Sequence, residues 1–441
     1  MRQSRPRALA RRFHRPSGNG FMLAVLLLAL LVLPSIALPG TPSASATGID
    51  ATFHEASVTA GFPEWIAFRL DVESPVEIQS AELFWASDGS PSLSVSAPHV
   101  DPGLRVTLEH EIDMSINYHP PGVDIIYFWR VTNAAGHVSE SPRQSFLYMD
   151  ERHDWNTRAS GPVTLFWYSG NDAFADDIIG TANRTIDRMR DRFGVVGDRP
   201  IRIMIYGDDG DFARSLPPNS AEWIGGQAYP GLNLIFAVVE PGAGAQREVR
   251  RMIPHEVSHL MLNQATWNPY NSPPNWLDEG LAVLLQETTE TRFEELLERA
   301  VRDGRLIPVR ALNSSFPLDP DQALLSYAES WSIVSFIVEQ YGDAAMADLI
   351  AAFRDDASYD EAAQRALGIS IDELDAQWKQ SLDYGGDAPT EVRNSNQTAD
   401  ETSFTRTDKI AVLSFTGVVG LGGLGLGVYS IRRARGPRPP R

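Results

Sequence analysis

The sequence predicts a multidomain chain: an N-terminal all-β sandwich, an α+β domain built around one apolar helix, and one C-terminal transmembrane helix. Three observations lead there. Short apolar runs at 65–72, 81–85 and 125–131 are separated by Pro, Gly and Asp clusters, the pattern of a β-sandwich. The run His255-Glu256-Val257-Ser258-His259 lies in an apolar stretch that follows strand, helix and strand patterns. Residues 410–431 are uncharged over a bilayer's length, and Arg432, Arg433 and Arg435 follow at once.

In order, residues 1–46 read as a signal peptide. Arginines at 2, 5, 7, 11, 12 and 15 precede an apolar run, and Ala44-Ser45-Ala46 offers a cleavage site. Residues 47–150 form the β-sandwich, of immunoglobulin or fibronectin type, and its scattered histidines read as structural or exposed. Residues 151–385 form the α+β domain, with strands at 163–168, 201–206 and 233–239 and a helix at 171–193 stopped by Gly194. Residues 386–409 are polar and read as a flexible stalk, in which Asn396-Gln397-Thr398 fits a glycosylation sequon. The span at 410–431 and a basic tail at 432–441 complete the chain, the tail on the cytoplasmic side.

The 441 residues carry a net charge of −19. The two ends hold 12 of the 38 basic residues and none of the 57 acidic ones, so the body between them stands at −31. Such an acidic body excludes nucleic acid as a natural partner and favours solubility. Basic residues at both ends place the body outside the membrane whether or not the signal is cut. With no cysteine, disulfides and thiolate metal sites are excluded.

On a helix, residues four apart share a face, so His255 and His259 can aim their imidazoles at one metal ion. Glu256 beside them can serve as general base on a metal-activated water. Two histidines leave a catalytic zinc one protein ligand short. No histidine follows His259, and Leu262 and Ala265 occupy the Gly and His places of the longer three-histidine pattern. A downstream third ligand must then be a carboxylate.

Further on, Trp276, Leu277, Glu279, Gly280 and Ala282 match a W-L-x-E-G-x-A signature on a second helix, with Pro274 suited to its first turn. With this pair of motifs the chain resembles the gluzincin metallopeptidases, and most closely their peptidase MA-like domains. The resemblance implies a zincin-like fold, one Zn2+ per chain, and Glu279 as third ligand. Asp278 is the rival, since neighbouring helical residues point about 100° apart and only one can face the metal. The spacing from His259 to Glu279 is one residue longer than in the aminopeptidase N branch, so the turn at 268–273 can differ. The resemblance also implies an edge strand that pairs with extended substrate, for which Ile224-Gly225-Gly226-Gln227-Ala228 or the strand after it is the candidate.

An oxyanion donor is needed besides the metal. Tyr327 is the candidate, on a helical stripe with Trp331, Val334, Val338 and Tyr341, and related peptidase MA-like sequences resemble this one around it. A core role for that ring is the alternative, and Arg310 and Arg354 are other possible donors. The sequence thus predicts a membrane-anchored, outward-facing zinc peptidase that cleaves peptides or proteins. With no amino-terminus-recognition motif in view, endopeptidase activity is favoured. The alternatives are a non-catalytic surface adhesion module with a structural metal site, and an intramembrane protease. Arg247, Glu248, Arg250 and Arg251 just upstream of the motif disfavour the second.

Overall fold

The computed structural model describes residues 50–217, 225–288, 291–317 and 319–384. The expected signal peptide, stalk, transmembrane helix and cytoplasmic tail, and Ile224, lie outside the described residues. Among the described residues no helix is long and apolar enough to cross a membrane.

The first part is β-rich, with seven antiparallel strands: β1 (Thr52–Gly61), β2 (Trp65–Ser87), β3 (Ser94–Ser96), β4 (Gly103–Asp113), β5 (Val123–Asn133), β6 (Val138–Glu140) and β7 (Gln144–Tyr148). The runs at 65–72 and 81–85, expected as two strands, are the two halves of β2. Its first half pairs with β1 and β4, its second with β3 and β5, and the register shifts between Glu73 and Ile78. Pro75 lies in that irregular stretch, where a missing N–H costs no ladder bond.

The second sheet is mixed. It holds β8 (Asn156–Ser160), β9 (Val163–Trp167), β10 (Ile201–Tyr206), β11 (Gly226–Tyr229) and β12 (Leu234–Val238), in the order β11-β12-β10-β9-β8. The three central strands run parallel and the two outer ones antiparallel. Between β9 and β10 runs α1 (Asp172–Phe193), where Asn171 caps the first turn and Gly194, at φ 64°, closes the last. A one-turn helix, α2 (Asp209–Ala213), follows β10.

The central strands are mostly apolar, interrupted only by Thr164 and Arg202, because both their faces are covered. Leu165, Ile203, Ile205, Ile235 and Ala237 join the core under the helices. Phe166, Met204, Tyr206 and Phe236 alternate with them and join a core with Phe68, Trp129 and Tyr148 of the β-rich part. The boundary expected near residue 150 falls inside this shared core. Asp150 is fully buried there and accepts hydrogen bonds from Tyr206 Oη (2.7 Å) and Arg152 Nη2 (2.6 Å).

The remaining helices are α3 (Ala245–Thr266), α4 (Asn275–Leu285), α5 (Thr291–Arg302), α6 (Pro320–Arg354), α7 (Tyr359–Leu367) and α8 (Ile371–Ser381). Pro274, expected in the first turn of α4, is instead its N-cap, in extended conformation. At Gly342 (φ 86°, ψ 167°) the backbone of α6 leaves the helix, one residue after Tyr341, the last member of the expected stripe. The packing of the helices around the motif depends on close approach of α4 to α6. A methyl group on Gly280 would collide with the Ser330 carbonyl oxygen and Val334. Ser326 and Ser330 keep that face of α6 small and bond their hydroxyls back to Gln322 O (2.9 Å) and Ser326 O (2.7 Å).

Candidate metal centre

The motif occupies the middle of α3, where residues 252–262 are all buried. Pro254 sits inside the helix and cannot donate to the carbonyl four residues back. That carbonyl, Arg250 O, accepts instead from Glu287 N at 2.9 Å, which ties the end of α4 to the start of the motif. The antiparallel return of α4 then lays Glu279 opposite the two histidines.

His255 Nε2 lies 3.4 Å and His259 Nε2 3.5 Å from Glu279 Oε2. One ligand atom from each of the three buried residues lies within 4.8 Å of the others. Donors held tetrahedrally at zinc, at about 2.0–2.1 Å, stand about 3.4 Å apart, so the observed separations fit that ion. Both Nε2 atoms are buried and make no hydrogen bond. Such atoms are costly unless a cation meets them. The sequence left Asp278 and Glu279 as rivals. The structure puts them on different sides of the site, with Asp278 Oδ1 on His259 Nδ1 at 2.7 Å, behind the ring.

The electrostatics separate the two imidazoles. Burial and the neighbouring His259 hold His255 down at about 3. Burial acts the same way on His259, but Asp278 and Glu279 outweigh it and push that ring up to about 10. A carboxylate behind an imidazole fixes its tautomer and raises its basicity as a ligand. His255 Nδ1 faces Gln286 Nε2 at 3.2 Å. Sequence reasoning passed over Gln286; it lies seven residues after Glu279, two turns on along the same helical face, and that periodicity was the available signal.

Glu256 is fully buried and points towards β11, where a Cβ on Gly226 would stand 3.0 Å from its Oε1. Of the two stretches considered for substrate pairing, β12 has both sides taken by β10 and β11. β11 is the edge of the sheet among the described strands. Tyr327 is a core residue whose hydroxyl faces the candidate ligand set. Its ring packs edge-on against Phe316 (5.1 Å) in an apolar cluster with Phe293 and Leu324, while its hydroxyl donates to Glu279 Oε1 at 3.3 Å. Burial, then Glu279 and Glu256, keep that hydroxyl protonated well above the usual range. Arg310 and Arg354 are not at the site: Arg310 is paired with Asp360 and Asp372, Arg354 with Asp355.

Residues 181–384 match the family model of the Peptidase MA superfamily. No curated protein matches the chain. Among solved structures the chain is similar to wild-type OgpA from Akkermansia muciniphila, at 8% identity over 22% of this chain and 28% of that one, with a TM-score of 0.19. It thus spans little more than a quarter of that structure's length. It is also similar to an M1 zinc metallopeptidase from Deinococcus radiodurans, at 12% identity over 73% of this chain and 91% of that one, with a TM-score of 0.33. At such scores these likenesses add nothing to the site's own geometry.

Proposed function

We propose that this chain, whose residues 181–384 belong to the Peptidase MA superfamily, is a zinc-dependent endopeptidase tethered to the outer face of a membrane. The observation that carries the reading is the convergence of His255, His259 and Glu279, buried and at ligand spacing. In this reading those three residues hold one Zn2+ per chain. When bound, zinc would supply Lewis acidity to the attacking water and the scissile carbonyl.

The chain's own residues do the rest. Glu256 takes the proton of the attacking water and returns it to the leaving amine. The Tyr327 hydroxyl, kept protonated by its surroundings, donates to the oxygen that gains charge. Glu279 accepts that hydroxyl's hydrogen bond before substrate arrives, which holds the phenol in place. The edge of β11, beside Glu256, pairs with an extended peptide by main-chain hydrogen bonds. Tethering rests on the uncharged run 410–431, followed directly by arginines, and on the acidic body before it.

The test is to purify the full chain, measure bound zinc, and follow cleavage of a mixed peptide library by native protein and Glu256→Gln. One zinc per chain with cleavage reduced at least about 100-fold in the variant supports the reading. Equal cleavage by both removes Glu256 as base. Tight zinc without cleavage by the native chain turns the reading towards a surface-binding module. Protease shaving of intact cells, releasing residues 47–384 but not the tail, tests the topology.

A further inference from the structure

We infer that Gln286 is the positioning residue of His255, presenting its side-chain carbonyl to Nδ1–H so that Nε2 is left open for the metal. This rests on the zinc reading above. Gln286 caps the C-terminal end of α4, and three contacts fix that end. Arg188 Nη1 donates to Leu285 O at 2.8 Å, Glu287 N donates to Arg250 O at 2.9 Å, and Arg184 clamps the Glu287 carboxylate at 3.0–3.1 Å. The middle contact exists because Pro254 leaves the Arg250 carbonyl without its helical donor. One residue before Glu287, the amide of Gln286 therefore stands against the ring one residue after Pro254.

The amide nitrogen is 3.2 Å from His255 Nδ1, while the amide oxygen is buried and makes no hydrogen bond. A half-turn of the amide exchanges the two atoms. Nδ1–H then donates to Oε1, and the ring's lone pair is fixed on Nε2, facing Glu279. The two ligands are thus supported unequally. His259 has a carboxylate behind it, whereas His255 has only a neutral amide. Val283, Leu284 and Leu285, which precede Gln286 in α4, carry no carboxylate.

Zinc affinity of the full chain, measured by competition with a chromophoric chelator, tests this together with thermal unfolding of the metal-free protein. Gln286→Leu keeps the size of the side chain and removes the acceptor; it should weaken zinc about 10–100-fold with little change in metal-free melting. Gln286→Glu keeps an acceptor and should bind at least as tightly as the native chain. Native-like affinity of Gln286→Leu overturns the inference and leaves the zinc reading intact, as does Gln286→Glu binding no better than Gln286→Leu. Absence of zinc from the native chain overturns both. If Gln286→Leu does not fold, nitrogen NMR of the zinc-loaded native chain decides: His255 protonated at Nδ1 supports the inference, and protonated at Nε2 rejects it.

Discussion

His259 is held between two adjacent carboxylates, Asp278 Oδ1 at 2.7 Å from Nδ1 and Glu279 Oε2 at 3.5 Å from Nε2. Consecutive residues of one helix thus serve opposite nitrogens of one ring, which is possible because they project about 100° apart. The expected consequence is graded. Asp278→Asn keeps an acceptor and loses the charge, so zinc affinity should fall about tenfold. Asp278→Ala should cost nearer 100-fold, read by chelator competition.

Tyr327→Phe separates the two roles of that side chain. The ring and its packing on Phe316 remain, and the hydroxyl on Glu279 goes. If the hydroxyl stabilises charge on the substrate oxygen, kcat drops about 100- to 1,000-fold with KM little changed. Unaltered kcat assigns Tyr327 to the core alone.

Gly280→Ala places a methyl against the Ser330 carbonyl oxygen and Val334. Overpacking at such a contact costs about 1–3 kcal/mol. Because Glu279 precedes the glycine, α4 cannot retreat without carrying its carboxylate away. Melting temperature and zinc affinity should therefore fall together, and a loss of one alone would contradict the coupling.

Glu329 is fully buried in α6 and accepts the Ile307 N–H at 3.0 Å. Burial pushes its carboxyl up to about 8, an effect the Ile307 hydrogen bond only partly offsets. A raised carboxyl favours the folded state fully below the ordinary value near 4.5 and loses that contribution as pH rises through about 8. Denaturant titrations from pH 5 to 8 should show stability falling by a few kcal/mol on this account, of order 1.4 kcal/mol per unit. Glu329→Gln should flatten that slope.

Removing residues 50–150 would expose Phe166, Met204, Tyr206 and Phe236 on the second sheet. These side chains form one contiguous apolar face, and such faces drive association. A fragment of residues 151–384 should aggregate or lose cooperative unfolding, whereas the longer chain should melt in one transition. A fragment that stays monomeric and cooperative would show that the β-rich part is dispensable.

Much of this was legible in the chain itself. Helical periodicity alone puts His255 and His259 on one face, and the strands at 163–167 and 201–206 and the helix ending at Gly194 follow from pattern and stop signals. The family resemblance is borne out over residues 181–384. Local pattern could not choose between Asp278 and Glu279, because the choice depends on how α4 rolls against α3 and how closely Gly280 lets it meet α6. It also could not see that β2 joins two expected strands, that both faces of the second sheet are covered, or that Gln286 reaches His255. The sequence by itself determined the spacing of the donors along each helix, because that is set by backbone geometry. Only the tertiary structure decided which donors meet, because that is set by the packing of residues far apart in the chain.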